Sequence, residues 1–112
     1  MQRGEIWLVE LDPTIGAEIR KARPAVIVSS DLVGILPLKV IVPFTEWKER
    51  YARAPWMVRI DPDRQNGMSK PSAADGLQIR SVSQQRLVQR LGTLSTAQVE
   101  AVVDAVKLIL QR

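Results

Sequence analysis

STAQVEAVVDAVKLIL, residues 95–110, carries the clearest helical period in the chain, and the apolar segments before it are short. Ser95 with Gln98 three residues later has the capping-box pattern, in which each side chain satisfies an orphan backbone N–H. Val99, Val102, Val103, Val106 and Leu110 then recur at helical spacing, an apolar stripe that faces a core or a partner. Upstream, GEIWLVEL (4–11), AVIVSS (25–30), KVIVPFTE (39–46) and WMVRI (56–60) read as strands. ADGLQIRSVS (74–83) is expected to contain a fifth, while QRLVQRLGTL (85–94) fits either type. The run at 25–30 is almost continuously apolar, as in a strand covered on both faces. Pro24 suits the first residue of that strand, and Pro43 points to an edge or a bulge. The connections are a charged loop (12–23), a Gly/Pro segment (30–38), a polar stretch with room for one short helical turn (47–55) and a turn-rich segment (61–72). Strands followed by a terminal helix predict a mainly β fold, an antiparallel sheet or small barrel with the helix packed on it. No strong helix separates the early strands, which argues against a parallel βαβ fold.

At 112 residues, the length predicts a single domain over 1–112 with one core. Hydrophobic residues at 46% and charged residues at 25% exclude a disordered chain. No apolar run approaches the roughly 20 residues of a membrane span, and the N-terminus lacks the apolar core of a signal peptide. The chain has no cysteine, which fits a reducing cytoplasm. It also has no histidine, so the usual general acid/base and the commonest metal ligand are both missing. Chemistry here must come from Arg, Lys, Asp, Glu, Ser, Thr or Tyr. The net charge of +4 favours a polyanionic partner. Glu100 and Asp104 balance Lys107 and Arg112, so the excess lies in residues 1–94.

The common phosphate-loop, dinucleotide and nucleophile-elbow motifs are absent. Arg23 stands just before a buried strand, so its backbone is held while the guanidinium stays near the surface. Such a group is permanently charged and presents a planar donor fork to phosphate. Its ordinary structural alternative is a salt bridge, and Glu18 in the same loop is a candidate partner. The other role open to Glu18 is to take a proton from a ribose 2′-hydroxyl, which needs a suitable pKa. Thr45 ends the third strand, where its hydroxyl can donate to a phosphoryl oxygen, although threonine also favours strands by propensity. Gln78 and Arg80 have the period-two spacing that puts both on one strand face, suited to bases and phosphates or simply to water. Trp47, Tyr51 and Trp56 lie among Lys48, Arg50 and Arg53. Aromatics interleaved with cations stack on single-stranded bases, and they also build cores and interfaces.

Together these residues resemble the MazF/PemK toxin family. RGEIWLVELDPTIGAEIRKARPAVIVSS (3–30) is similar to its opening signature, through Arg3-Gly4-Glu5-Ile6-Trp7, Asp12-Pro13-Thr14, Gly16, Glu18 and Arg23-Pro24. The likeness continues through IVPFT (41–45), QIRSV (78–82), Arg86-Leu87 and the helix introduced by GTLS (92–95). It implies a small Src-homology-3-like barrel with added helices that forms a homodimer. It implies a ribosome-independent endoribonuclease needing no metal or other cofactor, and a cognate antitoxin whose acidic, flexible tail occupies the RNA groove. Arg23 and Thr45 fall on the family's main catalytic positions, and Glu18 on one implicated in some members. Gln78 and Arg80 fall near the substrate groove, and Arg20 and Lys21 would attract RNA or the acidic tail. Where many members have an acidic residue directly before the Gln of QIR, this chain has Leu77, with Asp75 as the nearest carboxylate. RNA carries its own nucleophile, the 2′-hydroxyl, so a protein without His or Cys can still cleave it to a 2′,3′-cyclic phosphate and a 5′-hydroxyl. The rival expectations are a CcdB-like toxin that inhibits DNA gyrase by protein binding, and a non-catalytic basic RNA-binding module.

Overall fold

Successive residues of the strands point to opposite faces of one sheet, and each face carries a buried apolar cluster. The computed structural model describes residues 1–34 and 36–111. Ile35 of the 30–38 connection and Arg112 of the C-terminal charge balance lie outside the described residues. The strands are β1 (Glu5–Glu10), β2 (Ala22–Ile27), β3 (Leu38–Glu46), β4 (Met57–Ile60), β5 (Ser72–Asp75), β6 (Arg80–Ser83) and β7 (Leu87–Thr93). The helix α1 (Thr96–Leu110) follows them. Sheet order is β4-β5-β3-β2-β1-β7, with β6 also on β3, and every pairing is antiparallel. The expected β architecture with a C-terminal helix is therefore present, as an open curled sheet and not a closed barrel.

Ala25, Val26 and Ile27 have no exposed surface, as their apolar run predicts. Val26 packs with Ile6, Val42, Phe44 and Ile60 against Val99, Val102 and Val106 of α1. Ala25 and Ile27 face the other way, onto Val9, Leu11, Ile41, Val82 and Leu87. The Ser95–Gln98 capping box is formed in both directions, so the helix begins where the sequence places it. Most of its stripe is buried in the chain's own core, and only the final member, Leu110, is left exposed.

Several sequence expectations are corrected. Pro24 is the third residue of β2, opposite Leu8, in the part of the strand that β3 does not pair. Pro43 is neither on an edge nor in a bulge. It lies mid-strand, where the partner on one side of β3 changes from β6, ending at Ile41, to β5, starting at Phe44. A proline is tolerated there because the ladder is already interrupted. The segment 74–83 is not one strand: β5 ends at Asp75, a 3-10 turn covers Gly76–Gln78, and β6 begins at Arg80. The ambiguous 85–94 resolves as a 3-10 turn followed by β7, and the helical turn expected within 47–55 is the 3-10 turn Glu49–Arg53.

The 61–71 loop is built around Asn66, which is fully buried. Its side-chain oxygen accepts the Asp63 and Met68 N–H groups, and its amide donates to the Asp61 carbonyl. Gly67, at φ +68, and Gly92 let this loop lie directly on β7, since a Cβ on either would collide with backbone across the contact. That docking carries Met68, Ser69 and Lys70 to the site.

Candidate active site

Arg23 and Thr45 come together where β2 and β3 run side by side. β2 and β3 pair Ala25 with Pro43, Val26 with Val42 and Ile27 with Ile41. The ladder ends at Ala25–Pro43, and Arg23 and Thr45 each lie two residues beyond it on their own strands. Both line one small cleft of about 120 Å³, with Pro24, Phe44, Glu46, Met68, Ser69, Lys70 and Ser72. Phe44 is buried and packed into the core that holds α1, so the strand end carrying Thr45 is rigidly anchored. The Arg23 Nε–H donates to the Arg20 carbonyl at 3.3 Å. No carboxylate among the described residues pairs with this guanidinium. Its charge therefore remains available to an anion in the cleft.

Glu18 is not its partner. Glu18 Oε1 accepts the Ile15 N–H at 2.6 Å, closing a turn within the β1–β2 loop. It lines a second cavity of about 470 Å³ with Ile15, Ala17, Ile19, Pro43 and residues 77–80. The two cavities neighbour each other along β3, Pro43 lining one and Phe44 and Thr45 the other.

Gln78 and Arg80 share the Glu18 cavity, but not as two residues of one strand. Gln78 ends the 3-10 turn, and both ends of its amide hold the β1–β2 loop: Oε1 accepts from the Ile19 N–H at 3.2 Å and Nε2 donates to the Ala17 carbonyl at 3.1 Å. Arg80 donates to the Leu11 carbonyl at 3.1 Å, and Arg86 to the Glu10 and Asp12 carbonyls. These three side chains tie the loop to the sheet on both flanks. Arg20 and Lys21 are exposed at the end of that loop, and Lys21 takes a left-handed conformation (φ 69) that turns the chain into β2.

Asp75 is not among the residues that line either cavity. It is buried, and its Oδ1 accepts the Leu77 N–H at 3.1 Å, capping the 3-10 turn that carries Gln78. Burial pushes its carboxyl pKa above the ordinary value, against the lowering effect of the Leu77 and Gln78 backbone N–H groups. Among the described residues no three acidic side chains gather as a metal-ligand set.

Sequence reasoning missed Lys70 and Ser69 in the cleft and Arg86 under the loop. The 61–72 segment shows only turn composition, and nothing local says that its far end docks beside Arg23. Lys70 Nζ also stands 3.6 Å from Glu46 Oε2, an exposed pair of little energetic weight.

Residues 2–110 match the family model described as PemK-like, MazF-like toxin of type II toxin-antitoxin system. Endoribonuclease MazF9 of Mycobacterium tuberculosis is 34% identical over 115 residues, covering 96% of this chain and 94% of that protein. The fold matches the crystal structure of MazF from Deinococcus radiodurans with a TM-score of 0.81 at 20% identity, over 98% of this chain and 96% of that one. It also matches an endoribonuclease in complex with its cognate antitoxin from a mycobacterial species, with a TM-score of 0.75 at 19% identity, over 98% and 94%.

Proposed function

Because this chain belongs to the PemK-like, MazF-like toxin family, we propose that it is a cytoplasmic, sequence-specific endoribonuclease, the toxin of a type II toxin–antitoxin pair. Its substrate is single-stranded mRNA, and cutting it inhibits translation and growth without the ribosome or a metal. Residues 1–112 act as one toxin domain and assemble as a homodimer. The terminal helix is largely engaged by the chain's own core, so the exposed apolar residues Leu32, Val33, Leu36 and Leu38 are the better support for a self-contact. A monomeric mass at micromolar concentration would remove that part of the proposal.

The observation that carries the function is the cleft shared by Arg23 and Thr45, with a guanidinium that no carboxylate neutralises among the described residues. A scissile phosphate there meets a fixed cation and a hydroxyl donor. The ribose 2′-oxygen attacks phosphorus as its proton passes to a water, the bond to the 5′-oxygen breaks, and that oxygen takes up a proton from Arg23, which solvent then restores. The products are a 2′,3′-cyclic phosphate and a 5′-hydroxyl. Arg23 stabilises the phosphorane charge and supplies the proton to the leaving oxygen, while Thr45 binds a non-bridging oxygen. Glu18, held at the Ile15 N–H, acts as a positioning residue for the loop that presents Arg20 and Lys21. Gln78 and Arg80 border the RNA path and set that loop against the sheet. The cognate antitoxin covers the same cationic surface with an acidic, flexible tail.

The test is incubation of the purified protein with a defined RNA, with and without EDTA, followed by mapping of both new ends. Cuts at a short recurrent motif, unaffected by EDTA and ending in cyclic phosphate and 5′-hydroxyl, are expected. Arg23→Ala should lower kcat about 100- to 1,000-fold in a folded protein, the usual cost of losing one charge-stabilising donor. RNA binding without cuts, or full activity in Arg23→Ala, would overturn the assignment.

A further inference from the structure

The sheet face that carries Arg23 and Thr45 continues beyond the cleft. Thr45 pairs with Ala73 of β5, and Ala73 pairs with Arg59 of β4. Residues directly opposite one another share a face, so Thr45, Ala73 and Arg59 form one cross-strand row, and Arg23 lines the same cleft as Thr45. Trp47 prolongs the β3–β5 ladder by donating its N–H to the Pro71 carbonyl at 3.1 Å. Two residues past Thr45, it shares the same face. The Arg59 guanidinium lies over the Trp47 ring, 5.1 Å from its centroid, and is held in place by Asp61 at 2.9 Å. Trp47 meets Tyr51 edge to face at 6.0 Å, and the Arg50 guanidinium lies 5.4 Å from the Tyr51 centroid. Glu49 Oε1 accepts the indole N–H at 3.4 Å and orients the ring.

The core does not explain this assembly. Trp47 and Tyr51 belong to neither buried cluster, and none of Glu49–Arg53 is buried. Ala73, the middle member of the row, is small and fully buried, so it adds little bulk between Thr45 and Arg59. Flat aromatic and guanidinium groups, half-exposed beside a phosphate-sized cationic cleft, are the chemistry that stacks unpaired bases.

We propose that Trp47, layered with Arg59 and braced by Tyr51, is a stacking platform for a nucleobase of single-stranded RNA adjacent to the phosphate held at Arg23 and Thr45. This rests on the ribonuclease function above, and it adds a binding subsite outside the opening loop. Stacking tolerates any base, so the platform contributes affinity and sets the strand's direction across the sheet, while base-edge recognition lies elsewhere.

Two measurements on the full chain test it. Titration with a randomised single-stranded 2′-deoxy oligonucleotide pool, which lacks the nucleophile, should quench tryptophan fluorescence. Trp47→Phe should bind the pool while losing most of that quench, which separates Trp47 from Trp7 and Trp56. Against cleavable RNA, Trp47→Ala and Arg59→Ala should raise KM roughly 10- to 100-fold, the range of one lost base stack, with kcat changed far less and Trp47→Phe restoring KM. Wild-type KM in Trp47→Ala, a fall confined to kcat, or a quench that survives in Trp47→Phe would overturn the platform. So would affinity lost only for an acidic peptide, which would make this a protein-binding surface. If the wild-type protein cuts no RNA, the proposed function fails, and the fluorescence titration still decides the platform.

Discussion

At the level of single residues, the cleft depends on two side chains that differ in replaceability. Thr45 contributes a hydroxyl from an anchored strand end, so Thr45→Ser should retain most activity. Thr45→Val, close in shape, should lose about 10- to 100-fold in kcat, consistent with one lost neutral donor to a charged centre. Single-turnover cleavage with saturating enzyme reads this directly. Asp75 yields a prediction about stability. Its folded pKa is raised, so between the unfolded and folded values the native state binds more protons than the unfolded one. Stability from this group is therefore greatest at acid pH and falls as pH rises through the folded pKa. Asp75→Asn keeps an acceptor for the Leu77 N–H, and should flatten that slope and melt no lower than wild type at neutral pH. Asp75→Ala removes the cap and should melt lower, by roughly 5 °C for about 1 kcal/mol. Thermal melts across acid to neutral pH distinguish the three proteins. Arg23 and Thr45 were singled out by their chemistry and by the family likeness, and that they line one cleft is decided by the fold. The engagement of Gln78 was not legible in the sequence, since its partners Ala17 and Ile19 are about sixty positions away.

Among the elements, the β1–β2 loop is the one most dependent on distant support. Its amides and carbonyls are held by Gln78, Arg80 and Arg86, all from the C-terminal half. Gln78→Ala should release the Ile19 amide, raising its hydrogen-exchange rate about tenfold or more while the core amides of β2 keep their protection. An unchanged Ile19 rate would mean that the loop holds itself. The helix is the opposite case. Its start, cap and inward face all follow from residues within one another's reach, and the structure reproduces each of them. Within 74–83, Gln78 and Arg80 do not share one strand face, because a 3-10 turn over Gly76–Gln78 precedes β6. Asp75 caps that turn and Gly76 sits against the Trp56 carbonyl and α1, contacts that no local window contains.

For the whole molecule, the site is completed by the loop that crosses β7. Gly92→Ala would drive a Cβ into the Gln65 and Asn66 backbone. It should cost on the order of 2 kcal/mol, or roughly 10 °C in Tm. Because Met68, Ser69 and Lys70 leave the cleft when the loop lifts, the variant should also lose activity at temperatures where it remains folded. Circular dichroism melts paired with cleavage assays well below Tm separate the two effects, and full activity there would show that the loop's docking is not needed.

What this sequence determined alone was the set of elements whose signals are local: a capped amphipathic helix, a doubly covered strand within 25–30, and a cationic loop entering that strand. Its likeness to a toxin family extended those signals to an activity. What only the tertiary structure decided was adjacency. Arg23 and Thr45 meet in one cleft where β2 and β3 run side by side, Glu18 is drawn to Ile15 instead of Arg23, and Lys70 arrives from a loop packed over β7. Trp47 meets Arg59 across a third strand. Periodicity is carried by neighbours along the chain, whereas register and docking are set by packing between segments far apart in sequence. The backbone groups that the loops leave unpaired must then find partners wherever the fold supplies them.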